Sequence, residues 1–181
     1  MLKWFAHRFI RRMEAHYTYD ATYLHELADT SMTGFRRYMK MQMAGHWRAD
    51  APRNAWNAVA IGAALVEDCG PCVQITTDMA VEAGVPPDVI KALLSGTPTD
   101  ADAQLGFDYG RALLNGTKNL DMLREQIEAK WGKTTLIAMS LRAMSSRNYP
   151  VLKRAMGHAK TCQRVRVGNT DVAVNPMLKA A

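Results

Sequence analysis

The sequence predicts an all-α chain, a helical bundle with a β-hairpin at about 164–174. Three observations carry this. Helical spacing of apolar residues runs from Leu2 to about residue 160. Proline and glycine fall where helices start and stop, with Pro52 and Pro86-Pro87 at starts and Gly84, Gly96 and Gly116 at ends. Only in CQRVRVGNTDVAVNP does the period change: Val165, Val167, Val172 and Val174 alternate around Gly168-Asn169-Thr170.

Residues 2–17 read as a basic amphipathic helix with Leu2, Phe5, Phe9 and Met13 on one face. Its expected role is an arm packed on the body or on another subunit, and the sharper alternative is a membrane-surface helix. Residues 21–45 carry further helix, broken near Ser31–Gly34. Met39, Met41 and Met43 lie at alternate positions, which scatters them around a helix and favours flexible packing over a binding face. The segment RNAWNAVAIGAALVED is apolar nearly all round, so it belongs at the centre of the core. Gly62 would let another backbone approach it. Asn57 is its one buried polar residue and needs a hydrogen-bond partner.

A helix of about 70–83 follows, then a short one from Pro86-Pro87-Asp88 to Gly96. Thr97-Pro98 is expected to cap a helix of about 98–115, and Asn119 or Thr117 one of about 119–131. The spacing predicts two last helices, 133–146 and 149–160, separated around Asn148 and Pro150. A two-stranded hairpin is marginal alone in water, so the tail must lie on the helical body or on another chain. The reading is one domain, with an arm at 1–50, a core at 52–160 and a tail at 161–181.

Composition narrows the class. The chain has 181 residues, 48% hydrophobic, and a net charge of +6. It holds eight basic against five acidic residues in 1–50, eight against eleven in 51–144, and seven against one in 145–181. Both ends are basic and the middle is acidic. Such ends read as solvated faces or as docking onto the acidic part, and a nucleic-acid partner is not expected. No apolar run is long enough for an integral membrane segment, and no secretory signal is read. Three cysteines are too few for a disulfide scaffold, so a cytoplasmic chain with a catalytic or transient disulfide fits best. No cofactor is expected.

The chemistry centres on Cys69-Gly70-Pro71-Cys72. Helices of 53–67 and about 70–83 must form an antiparallel hairpin turning near Glu67. Asn57 and Thr76 are equidistant from that turn, and Thr76 is one turn beyond Cys72. The spacing therefore groups Cys72, Thr76 and Asn57 on one seam, with Cys69 at its mouth. The first turn of a helix lowers a thiol's pKa through its free N–H groups and its dipole. The carboxylates of Glu67 and Asp68 would oppose this. Three readings stay open: a redox dithiol, two cysteines buried as small hydrophobes, or a zinc set of Cys69, Cys72, His158 and Cys162.

These residues resemble the alkylhydroperoxidase D-like group of the carboxymuconolactone decarboxylase superfamily, from about Pro52 to His158. The stretches EAGVPPDVIKALL, LGFDYGRALLNG and WGKTTLIAMSL add to the likeness. The group's motif is Glu, eleven residues, Cys-x-x-Cys, three residues, His. Here the dithiol falls on Cys69 and Cys72, the Glu position on Asn57 and the His position on Thr76. The resemblance implies a helical bundle, a homo-oligomer and a dithiol that cycles between thiol and disulfide. The expected substrate is a peroxide or a disulfide, and the expected donor a thiol reductant protein or a dihydrolipoyl-type dithiol. Neither Asn57 nor Thr76 titrates near neutral pH, so neither serves as a general base. Thiol–disulfide exchange is expected to outlast peroxidase activity. Solvent access favours Cys69 as the partner-facing sulfur, yet either cysteine could attack peroxide. The alternatives are a non-catalytic binding or assembly member of the group, a zinc-stabilised helical protein, or a lactone decarboxylase, the last associated with members that lack the dithiol.

Overall fold

The computed structural model describes residues 1–158 and 164–178. It is all-α with a short C-terminal hairpin. The helices are α1 (Leu2–Tyr17), α2 (Thr22–Thr30), α3 (Met32–Met43), α4 (Arg53–Val66), α5 (Gly70–Glu82), α6 (Pro87–Ser95), α7 (Ala101–Asn115) and α8 (Leu120–Ala155). Two antiparallel strands follow, β1 (Arg164–Val167) and β2 (Thr170–Ala173). Among the described residues no helix is long and apolar enough to cross a membrane.

The nearly all-apolar helix is central, as its composition requires. Every residue of α4 from Ala55 to Leu65 is buried. The carbonyls of Ala55 and Val59 lie where Cβ atoms on Gly106 and Gly110 of α7 would sit. Gly62 meets the Phe107 carbonyl in the same way. The pairings step in the same direction, so α4 and α7 run parallel at a separation that side chains would prevent. Helix α8 packs against both, through Leu123, Ile127, Leu136 and Met139.

The arm folds back on the body. Residues Ala6 and Ile10 of α1 are buried beside Tyr23 and Leu24 of α2, Phe35 of α3 and Ile75 of α5. The inward face is thus one step round from the expected one: Leu2, Phe5 and Phe9 stay exposed. The small Ala6 lets α1 lie close, and the large residues beside it remain on the rim. The predicted break falls at Ser31, whose hydroxyl caps α3 by accepting from the Gly34 N–H at 3.0 Å.

Two local expectations are corrected and a third is kept. Asp100, rather than Thr97-Pro98, caps α7, accepting from the Ala103 N–H at 2.9 Å and from the Asn54 amide at 2.7 Å. The boundary expected after residue 131 is borne out: Gly132, with φ 83° and ψ 165°, breaks the helical backbone within α8. The break at Asn148 and Pro150 is absent, because α8 continues through Pro150 to Ala155. Proline forfeits one hydrogen bond there, but Tyr149, Leu152 and Met156 pack into the arm's cluster and hold the helix on course.

The hairpin covers the body, as one of its two readings required. Val165 and Val167 are buried against α5 and α6. Gln74 of α5 donates to the Arg166 carbonyl at 2.8 Å and accepts from the Arg166 N–H at 2.7 Å. These two bonds saturate one residue of the strand's edge and fix it to the helix that begins at the cysteine pair.

Candidate functional site

The turn between α4 and α5 is only three residues, Glu67, Asp68 and Cys69. Asp68 takes the left-handed conformation at φ 46°, which short polar side chains tolerate best. This reverses the chain and makes Cys69 the residue that caps α5. Its carbonyl accepts from the N–H groups of Cys72 and Val73, both at 3.0 Å. Gly70 and Pro71 fill the first turn, where proline costs no helical hydrogen bond. The two cysteine Cα atoms are then 5.2 Å apart, within the span of a disulfide, and the sulfurs are bonded.

Both cysteines are buried, Cys69 at 1% and Cys72 at 0% exposure. The expected greater access of Cys69 is therefore not realised, because the turn folds its side chain inward. Glu67 is also buried, and α8 clamps it. Arg147 donates from Nε to one carboxylate oxygen at 2.6 Å, and Arg154 bonds the other through Nη2. The two arginines are seven apart on one face of α8. Glu67 is thus paired with two cations and ties the dithiol turn to the C-terminal part of α8.

The two positions of the expected proton relay do not bond to each other. The Asn57 amide donates to the Arg53 carbonyl in its own helix at 3.0 Å. The Thr76 hydroxyl donates to the Cys72 carbonyl at 2.8 Å and shares a second, short bond with the Tyr149 hydroxyl. Tyr149 also reaches the Cys72 carbonyl, at 3.5 Å. Burial raises the Tyr149 phenol above its ordinary value, so it stays protonated at neutral pH. Sequence reasoning missed Tyr149. Its signal was the spacing of Arg142, Ser145 and Tyr149, which marks one face of α8.

Thr76 and Tyr149, which both contact the Cys72 carbonyl, line a cavity of about 470 Å³. The walls come from α1, α2, α3, α5 and α8, and are mainly apolar or aromatic: Phe9, Met13, Tyr19, Tyr23, Leu24, Tyr38, Met39, Ile75 and Met79. Arg12, His16, His46 and Arg142 also line it, and no carboxylate does. Burial, with Arg142 nearby, lowers the His46 pKa, so this imidazole is neutral at pH 7. A cavity of this size and lining suits a small molecule.

The zinc alternative gains no support from the described members of its set. Cys69 and Cys72 are bonded to each other, and His158 lies 3.0 Å from a Glu26 oxygen. Cys162 lies outside the described residues. Among those described, no group of three or more His, Cys, Asp and Glu side chains is placed to hold a metal.

The chain matches no family model, and no curated protein or solved structure matches it significantly. The fold and site define an all-α protein with a disulfide-bonded CxxC at the start of a core helix.

Proposed function

We propose that this chain is a CxxC-dependent thiol–disulfide oxidoreductase with weaker, peroxide-reducing activity, on the plan of the alkylhydroperoxidase D-like group it resembles. The observation that carries this reading is the Cys69–Cys72 disulfide at the first turn of α5, one helical turn from a cavity.

The chemistry follows from the reduced pair. One thiolate attacks an oxygen of an organic hydroperoxide, the O–O bond breaks, and the alcohol leaves with one proton. The resulting sulfenic acid is attacked by the second thiolate, closing the Cys69–Cys72 bond and releasing water. Two thiols have lost two electrons, and the hydroperoxide has gained them. An external dithiol then reduces the disulfide by exchange, ending as a disulfide itself. The helix N-terminus favours the thiolate.

The proton steps are the weak part. Thr76 and Tyr149 hold the position where an imidazole would sit, and neither is a base at neutral pH. Exchange, which needs only two thiols and a modestly lowered pKa, is therefore the stronger activity. With both sulfurs buried, small substrates are favoured, and a protein partner requires the Glu67–Asp68 turn to open. The resemblance further implies a homo-oligomer, for which the exposed Leu2, Phe5 and Phe9 offer apolar surface.

The test is peroxide consumption in the presence of a dithiol donor, with Cys69→Ser and Cys72→Ser as controls. Turnover that either substitution abolishes supports the reading. Wild-type protein that neither consumes peroxide nor exchanges with a dithiol refutes it.

A further inference from the structure

Arg142 is 8% exposed and lies on the wall of the cavity. Its guanidinium stacks 4.1 Å from the Trp56 ring, and one terminal nitrogen reaches the Gly45 carbonyl at 3.4 Å. Its Nε has no hydrogen-bond partner. Among the described residues no carboxylate pairs with it. Tyr149 supplies no anion, since burial keeps it a phenol, and His46 beside it is neutral at pH 7.

A buried cation without an anion is costly, and proteins rarely leave one so. The Trp56 face and one long bond to a carbonyl compensate only part of that cost. The remaining donor capacity of a guanidinium matches a carboxylate, which accepts two parallel N–H bonds. The rest of the lining is mainly apolar and aromatic, and of its other basic groups, Arg12, His16 and His46, none is as deeply buried as Arg142. The ligand this geometry describes has one anionic head and an apolar tail.

We propose that the cavity binds an apolar monocarboxylate, its head on Arg142 and its tail among Met39, Ile75 and Met79. Thr76 and Tyr149 then place the bound chain one helical turn from Cys72. That a hydroperoxide of this carboxylate is a substrate of the dithiol rests on the redox reading above, whereas the binding site does not.

The two are tested separately. Calorimetric titration with decanoate and with 1-decanol, which lacks the charge, addresses the site. Decanoate is expected to bind at one per chain and at least about tenfold more tightly than 1-decanol. In Arg142→Met the decanoate affinity is expected to fall by about tenfold, with that for 1-decanol little changed. In Met39→Trp, which narrows the cavity where the tail would lie, both are expected to bind more weakly. Equal affinity of the two compounds for the wild type, or no binding of decanoate, overturns the proposal. So does undiminished binding to Met39→Trp. The wild-type comparison decides the matter if Arg142→Met does not fold. For the substrate step, oxidation of the reduced dithiol by a decanoate hydroperoxide is compared with that by its methyl ester. Tight decanoate binding without faster oxidation by the acid removes the substrate assignment and leaves the site. Loss of binding with oxidation intact removes the site and leaves the redox reading.

Discussion

The Thr76 and Tyr149 hydroxyls are bonded to each other, and both point at the Cys72 carbonyl, Thr76 at 2.8 Å and Tyr149 at 3.5 Å. They form a polar bridge from α5 to α8 at the cavity wall. It stands at the position for which the resemblance implies an imidazole.

This bridge sets the first expectation. Tyr149→Phe removes the buried bond to Thr76 and the long 3.5 Å contact with the Cys72 carbonyl, and leaves Thr76 bonded to Cys72. It should cost about 1 kcal/mol of stability, measured by denaturant unfolding. Thr76→His with Asn57→Glu restores a titratable pair at the matching positions. The cavity beside Thr76 gives the imidazole room, and peroxide reactivity of the reduced dithiol should rise at least several-fold. A folded double variant with unchanged reactivity would count against the alignment of these positions.

The Glu67 clamp predicts a coupled change in stability and access. Glu67→Gln breaks the pairing with Arg147 and Arg154. The carboxylate is buried but both arginines are about half exposed, so water recovers part of the loss. The cost should be roughly 2 kcal/mol. The loosened turn should also let dithiothreitol reduce the disulfide faster. Reduction at the wild-type rate would show that the clamp does not guard the dithiol.

Close helix contact gives a third expectation. Gly106→Ala places a methyl group where the Ala55 carbonyl lies. Helices α4 and α7 must then separate, at a cost of about 1–3 kcal/mol. A melting temperature equal to that of the wild type would refute the contact.

The cavity's tyrosines predict alkaline sensitivity. Burial pushes Tyr38 up to about 12 and raises Tyr19, Tyr23 and Tyr149 as well. The unfolded chain releases these protons near pH 10, earlier than the folded chain. Their contribution is whole below about pH 10 and is lost as pH rises through the folded values. His46 works in the opposite range. Its pKa is lowered by burial, so its contribution is present above about pH 6.5 and is lost as pH falls. Thermal unfolding from pH 5 to pH 11 should show a decline at both ends. His46→Gln should flatten the acid limb alone.

Much of this was legible in the sequence. Pro52, Pro87, Gly84, Gly96 and Gly116 mark helix ends through backbone rules that act locally. Gly62 announced the approach of α7 because a glycine in an apolar helix has few other uses. Alternating valines showed the hairpin. The Pro150 position misled, since tertiary packing of Tyr149 and Leu152 overrides a local break. The cavity was not legible. Its walls come from residues between Phe9 and Tyr149, brought together only by folding. Arg142 and Arg154 look alike in sequence, and only packing makes one a buried cation and the other a clamp.

The most direct test counts thiols. The protein is reduced, freed of reductant, and assayed for free thiols before and after one equivalent of an organic hydroperoxide. Two thiols from Cys69 and Cys72 should disappear together, return with a dithiol, and be lost again in a second cycle. Persistence of both thiols after peroxide and after a small-molecule disulfide would contradict a redox role for the pair.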